Sequence, residues 1–302
     1  MQFQSLRMLR RATMLVGLLL APAQAATAIQ TLVGEDSPAQ ILQVDSQWLS
    51  QHLVDPGVLV VDVRPTRDYL AGHIPGAVSV PVDDTFSINP PRYLVAPIRS
   101  IQTLFSQAGI SNELNVVLYD SGALVDAGRM FWVLETYGHR RVALLDGGYG
   151  DWRQGDYPLE TEVTKPVPRR FLAIVQPQYL ATKLYTRLAI NDEQKVIIDA
   201  RSQEEFRGEK SSTQRFGHIP TAINIPWEQN LQQQDGVTRL RPLAELGELY
   251  AGLGKGKDII TYCNRGRQSA LTYFVLRRLG MTVAHYDGSW LEWGNDKNLP
   301  VE

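Results

Sequence analysis

At 302 residues the chain sets a prior of two domains, because single cores stop growing near ~250–300 residues. With 44% hydrophobic and 21% charged residues it is ordinary globular material, neither a disordered nor a polytopic membrane composition. A single cysteine excludes a disulfide framework within the chain and any multi-cysteine metal centre, and a net charge of −2 supplies no basic field for nucleic acid.

In chain order, Arg7, Arg10 and Arg11 precede the apolar run Ala12 to Leu20, and Pro22 and the triplet Ala23-Gln24-Ala25 follow it. Basic start, short apolar run and small-residue site form the pattern of a secretory signal peptide, residues 1–25, cleaved after Ala25. The run is shorter than the ~20 residues that span a bilayer, so no stable membrane insertion of the mature chain is expected. Its removal takes away three arginines and no acid, moving the net charge from −2 to −5. The expected location is periplasmic, where an unpaired thiol is a liability unless its reactivity is used.

The rest of the chain matches itself. Asp62-Val63-Arg64 is echoed 137 residues on by Asp199-Ala200-Arg201, and Gly72-His73-Ile74-Pro75 is echoed 145 residues on by Gly217-His218-Ile219-Pro220. Val116 to Asp120 matches Ile259 to Cys263 at 143, and Asp146 to Trp152 matches Asp287 to Trp293 at 141. Four blocks in one order mean a duplicated domain, not a short-period solenoid. The boundaries expected are 40–160 and 178–302, joined by a proline-punctuated linker over 161–177.

Within the first copy, Val58 to Val61 and Val116 to Leu118 read as buried parallel strands, and Ala127 to Tyr137 reads as a helix stopped by Gly138. The second copy repeats this with Val196 to Ile198, Asp258 to Thr261, and a helix over Ser269 to Leu279 stopped by Gly280. Strand–helix alternation gives the α/β class, twice over, with a mainly parallel sheet flanked by helices in each copy. The histidines show no close ligand spacing, and His73 and His218 hold equivalent places in both copies, which points to hydrogen bonding in the frame. Trp132, Trp152, Trp290 and Trp293 are expected in the core or a cleft wall.

Cys263 ends a strand, and the loop Cys263-Asn264-Arg265-Gly266-Arg267-Gln268-Ser269 leads into a helix. In open α/β sheets ligands bind at the carboxyl ends of strands. A short loop entering a helix N-terminus turns backbone N–H groups toward one point and makes an anion nest. A sulfur there meets those donors, the positive helix end and nearby arginines, all of which favour thiolate over thiol. Gly266 lets the backbone fold closely round it. The backbone cradle is expected from Asn264, Gly266, Gln268 and Ser269, and oxyanion contacts from Arg265 and Arg267.

The duplicated pattern resembles the two-domain rhodaneses, the thiosulfate and mercaptopyruvate sulfurtransferases, from about Ile41 to the C-terminus. The resemblance rests on Asp199-Ala200-Arg201 with Glu205-Phe206, Gly217 to Ala222, the Cys263 loop, and Asp287-Gly288-Ser289-Trp290 with Trp293. In the first copy it rests on Gly72 to Ala77, Tyr137-Gly138-His139 and Leu145 to Gly148. It implies two tandem rhodanese-like domains and an enzyme that carries sulfur as a Cys263 persulfide. It further implies a first domain that is catalytically silent, with Asp120 in place of cysteine, and Arg201 as the anchor of an anionic donor. No cofactor and no metal are implied. The partners would be a small anionic sulfur donor and a thiol or cyanide acceptor. The loop matches neither Cys-Arg-Lys-Gly-Val-Thr, the thiosulfate form, nor Cys-Gly-Ser-Gly-Val-Thr, the mercaptopyruvate form. Its two arginines favour a small dianion such as thiosulfate. The alternatives are a mercaptopyruvate sulfurtransferase and a persulfide-delivery module for one protein partner. A cysteine phosphatase needs Cys-x5-Arg, and the sixth residue after Cys263 is Ser269.

Overall fold

The structure, a computed structural model, describes residues 41–88, 93–254 and 256–302. The expected signal peptide, residues 1–25, lies outside the described residues. Among the described residues no helix is long and apolar enough to cross a membrane.

The first half carries strands β1 (Gln43–Val44), β2 (Val58–Asp62), β3 (Val78–Ser79), β4 (Asn115–Tyr119) and β5 (Val142–Leu145). Its helices are α1 (Ser46–His52), α2 (Thr66–Ala71), α3 (Ile98–Gln107), α4 (Val125–Thr136) and α5 (Gly148–Gln154). The second half repeats the series. Its strands are β6 (Leu180–Ala181), β7 (Lys195–Asp199), β8 (Ile223–Asn224), a hairpin of β9 (Leu231–Gln234) and β10 (Val237–Leu240), β11 (Asp258–Tyr262) and β12 (Val283–Tyr286). Its helices are α6 (Lys183–Ala189), α7 (Gln203–Phe206), α8 (Leu243–Tyr250), α9 (Gln268–Arg278) and α10 (Ser289–Trp293). Two five-stranded sheets run in matching orders, β1-β5-β4-β2-β3 and β6-β12-β11-β7-β8, with every pairing parallel. Each central strand lies between two others with Cβ atoms alternating between faces, so both faces must be apolar.

That alternation divides the interior. Val116 and Leu118 of β4, with Ile259 of β11, face one apolar core shared by both halves. Val117 and Tyr119 face a separate cluster with Ile74 and Trp152, while Ile260 and Tyr262 face its counterpart with Ile219 and Trp293. In the shared core α4 packs along α9. A Cβ on Gly128 would stand 3.0 Å from the Leu271 Cα, so at this crossing only glycine lets the backbones approach. Phe131 meets the Phe274 ring edge-on at 4.9 Å, and buried Glu135 accepts from Tyr273 Oη at 2.7 Å and from Arg277 Nε at 3.1 Å. The hairpin adds a second tie. Arg239 pairs with Asp151 of α5, and the Leu240 N–H donates to Asp146 Oδ1 at 3.2 Å.

The chain between the halves is strapped to the first. The Arg169 N–H donates to Ser106 O, and Ile174 and Gln176 donate to the carbonyls of Tyr137 and Thr136. His73 and His218 occupy equivalent niches, each stacked at 3.7 Å on an aromatic neighbour, Tyr69 or Phe206, and bonded through Nδ1 to that residue's carbonyl oxygen. All four tryptophans named above are fully buried.

His139 sets a pH dependence. Its Nδ1 accepts from the Arg141 N–H at 3.2 Å, which leaves Nε2 to donate to Ser111 O at 3.0 Å. Burial pushes its pKa down to about 4. The folded value lies below the unfolded one of ~6.5, so stability is full above ~6.5 and is lost as pH falls toward about 4. The loss from this group is of order 3 kcal/mol, and burial pushes His285 the same way. We expect urea unfolding free energies to fall over that window, and His139→Gln to flatten the fall.

Candidate active site

Both strand-to-helix loops at the carboxyl ends of β4 and β11 can be compared atom by atom. In the first half the loop closes on Asp120, 3% exposed. Its Oδ1 accepts the N–H groups of Gly122 at 2.8 Å and Leu124 at 3.1 Å, and its Oδ2 those of Asp126 at 3.1 Å and Ala127 at 3.4 Å. Burial pushes this carboxyl above the usual carboxylate range while the amides pull it back. The anion nest is therefore filled by the loop's own carboxylate.

In the second half Cys263 stands in the Asp120 position, 1% exposed. Cys263 follows directly on β11 and is buried, not exposed at a rim. Its backbone is fixed on both sides. The Cys263 N–H donates to Ser289 Oγ at 3.2 Å, and Cys263 O accepts from the Trp290 N–H at 2.9 Å. Among the described residues none of the N–H groups of residues 265–269 donates to a protein acceptor. At the offset of 143, Arg265, Arg267, Ser269 and Ala270 match the four donors that hold Asp120. By that match the second loop holds a cysteine where the first holds a carboxylate, and its amides at 265–269 have no protein acceptor among the described residues.

The side chains of the loop divide by task. Asn264 donates through Nδ2 to Glu205 Oε1 at 2.7 Å and accepts from Ser212 Oγ at 2.8 Å, so it ties the loop to the α7 region. Gly266 sits at φ +66°, and a Cβ there would stand 2.7 Å from Asp287 O. Ser269 turns its hydroxyl away to His285 Nε2 at 2.9 Å. Gln268 opens α9. Arg265 is exposed, with no ion pair among the described residues. Arg267 faces the first half, where Nε donates to Asp126 Oδ1 at 2.5 Å and Nη1 to Asp83 Oδ1 at 3.2 Å. Burial pulls the Arg267 guanidinium down, but its bond to Asp126 outweighs this and holds it above its ordinary value.

Arg201, expected to anchor the donor, has a fully buried side chain forked onto Asp199, Nε to Oδ1 at 3.0 Å and Nη2 to Oδ2 at 2.5 Å, while its Nη1 has no hydrogen-bond partner among the described residues. Nη2 also donates to Gly217 O at 2.9 Å, Tyr262 Oη closes the carboxylate at 2.5 Å, and the guanidinium lies 4.4 Å from the Trp290 ring. Arg64 makes the same set with Asp62, Gly72, Tyr119 and Tyr149 in the half that has no cysteine. An arrangement present in both copies serves the frame. It pins the glycine of the Gly-His-Ile-Pro block to the strand end. Arg129, Asp126 and Asp83, by contrast, reach the loop without having been singled out in the sequence, and Glu205, named there only within the family motif, reaches it through Asn264. For Arg129 a signal existed, a lone cation inside the apolar run Ala127 to Trp132. We expect Arg201→Met and Arg64→Met to destabilise alike, by ~3–5 kcal/mol as each strands a buried carboxylate, in matched urea titrations.

Comparison with known proteins agrees with this duplication. The family model described as "Rhodanese-like domain" matches twice, over residues 45–155 and 181–296. The chain is 30% identical over 276 residues to the 3-mercaptopyruvate sulfurtransferase of Escherichia coli, covering 86% of this chain and 97% of that one. It is 32% identical over 265 residues to the thiosulfate sulfurtransferase of Pseudomonas aeruginosa, with the same coverage. The crystal structure of the 3-mercaptopyruvate sulfotransferase SseA from Escherichia coli superposes with a TM-score of 0.75 at 28% identity, covering 83% of this chain and 99% of that one. The chain therefore belongs to the rhodanese family of sulfurtransferases, with one rhodanese-like domain in each half.

Proposed function

We propose that this sulfurtransferase carries sulfur on Cys263, taking it from thiosulfate and giving it to cyanide or a thiol, in the periplasm after cleavage at Ala25. The observation that carries the reading is the filled cradle of the first half. From Cβ, the Asp120 carboxylate reaches its oxygens in two bonds, and a cysteine persulfide reaches its terminal sulfur in two bonds. Asp120 is thus an internal likeness of a Cys263 persulfide anion, and its four amide contacts mark where the terminal sulfur's charge would be met.

The chemistry balances as a double displacement. The Cys263 thiolate attacks the outer sulfur of thiosulfate, a sulfur–sulfur bond forms, and the donor's sulfur–sulfur bond breaks with its electron pair leaving on sulfite. Cyanide then attacks the terminal sulfur, the persulfide bond breaks, and thiocyanate leaves with the thiolate restored. Two easier steps replace one transfer. Arg265, the exposed loop guanidinium, is the group available to the donor's oxyanions. Cys263 is 1% exposed, which favours small donors and acceptors over direct docking of a protein partner.

A second reading, 3-mercaptopyruvate as donor, is favoured by one observation. Arg267 is paired with Asp126 and Asp83, so among the described residues the loop presents one free cation where two were expected. We expect intact mass to rise by one sulfur atom after incubation with thiosulfate, with no rise in Cys263→Ala. Thiocyanate formation should be abolished in Cys263→Ser. Faster turnover on mercaptopyruvate would replace the donor, and negligible turnover on both would leave a sulfur-delivery module. N-terminal sequencing of protein from a periplasmic extract should begin at Ala26.

A further inference from the structure

Asp126 and Asp83 of the half without a cysteine bond an arginine side chain of the Cys263 loop, and Arg129 bonds the loop's backbone. Arg129 of α4 is 0% exposed. Its Nη1 donates to Gly266 O at 2.8 Å and to Asp287 Oδ1 at 2.5 Å, while Asp287 Oδ2 accepts the Val95 N–H at 2.7 Å. The guanidinium lies between the rings of Phe86 and Trp132, at 4.7 and 4.5 Å, and its Nε and Nη2 have no hydrogen-bond partner among the described residues. A buried cation with two unpartnered nitrogens is costly. An apolar residue would suit this stretch of α4 better for stability alone.

The contact has a geometric consequence. In a planar trans peptide the carbonyl and the following N–H point to opposite sides. Holding Gly266 O toward Arg129 turns the Arg267 N–H the other way, into the loop. The first half supplies the reference. Leu124, the match of Arg267 at the offset of 143, donates its N–H to Asp120 Oδ1 at 3.1 Å. The neighbouring Gly266 is pressed against Asp287 and sits at φ +66°, so the peptide has little freedom to turn back.

We propose that Arg129 is a positioning residue for sulfur transfer, contributed by the cysteine-free half, which fixes the Gly266–Arg267 peptide so that its amide serves the sulfur on Cys263. This rests on the Cys263 persulfide reading above. It also changes the standing of the first half, expected from the sequence to be silent: it carries no nucleophile, yet it shapes the nucleophile's loop.

The test compares the wild type with Arg129→Met, Arg129→Lys, Asp287→Asn and Cys263→Ser. Three quantities are read: thermal melting, the rate of sulfur loading from thiosulfate, and the pH profile of Cys263 alkylation by iodoacetamide. The other charged and titratable groups round the loop are Arg265, Arg267, Asp83, Asp126, Asp287, Glu205 and His285, and the Arg129 variants leave all of them in place. In folded Arg129→Met we expect loading to slow roughly ten- to hundredfold, the scale of losing one aimed donor. The alkylation midpoint should move to higher pH, and Arg129→Lys should recover part of both. A folded Arg129→Met with the wild-type profile and loading rate overturns the proposal. Where Arg129→Met does not fold, Asp287→Asn carries the test. It removes the charge that anchors Arg129 and should shift both readouts in the same direction by less, and wild-type behaviour there overturns the proposal equally. Failure of the persulfide reading looks different: Cys263→Ser would still transfer sulfur while alkylation continued to respond to Arg129.

Discussion

Everything at this site depends on backbone amides left over where a helix begins. A helix cannot bond its own first N–H groups, so each strand-to-helix loop has donors to dispose of. In the first half the Asp120 carboxylate takes them, and that loop is closed and self-satisfied. In the second half the residue is one heavy atom past Cβ instead of three. The donors remain, and the smallest side chain able to bring an anion to them by chemistry is a thiol. One backbone device, duplicated, therefore yields a structural plug in one copy and a reactive centre in the other.

The duplication also explains how the two halves act as one body. Their inner sheet faces share a single apolar core, with α4 and α9 pressed together where Gly128 meets Leu271. That crossing brings both helix N-termini side by side. Asp126 on one can then reach Arg267 on the other, and Arg129 can reach Gly266 O. The hairpin β9–β10 ties the far side through Arg239 and Asp151. The cysteine-free half thus sets charged groups against the loop that begins at Cys263.

Charge at the site is consequently more balanced than a count of loop arginines suggests. Arg201 belongs to Asp199, Arg267 belongs to Asp126 and Asp83, and Glu205 is bound to Asn264 beside the loop. Of the loop's arginines Arg265 is the exposed one, with no ion pair among the described residues. What the loop itself offers an anion is then one exposed guanidinium and a row of amides.

Most of the frame could be read from the chain itself. Four blocks recurring in order fixed two α/β domains, the β-branched runs became the central strands, and the Gly stops after Tyr137 and Leu279 ended the helices they were expected to end. Cys263 at a strand end before a helix was equally legible, because that placement is local in sequence. What local pattern could not give was which groups the tertiary packing sets against each side chain. Arg201 looked like a substrate anchor because a free arginine and an ion-paired one are spelled alike. Asp199, two residues before it, takes the fork, and the packing of β7 beside β11 sets Tyr262 on the same carboxylate. Arg129 and Asp126 joined the site for the same reason: the contact of α4 with α9 is a product of the closed core, and no spacing within either repeat encodes it.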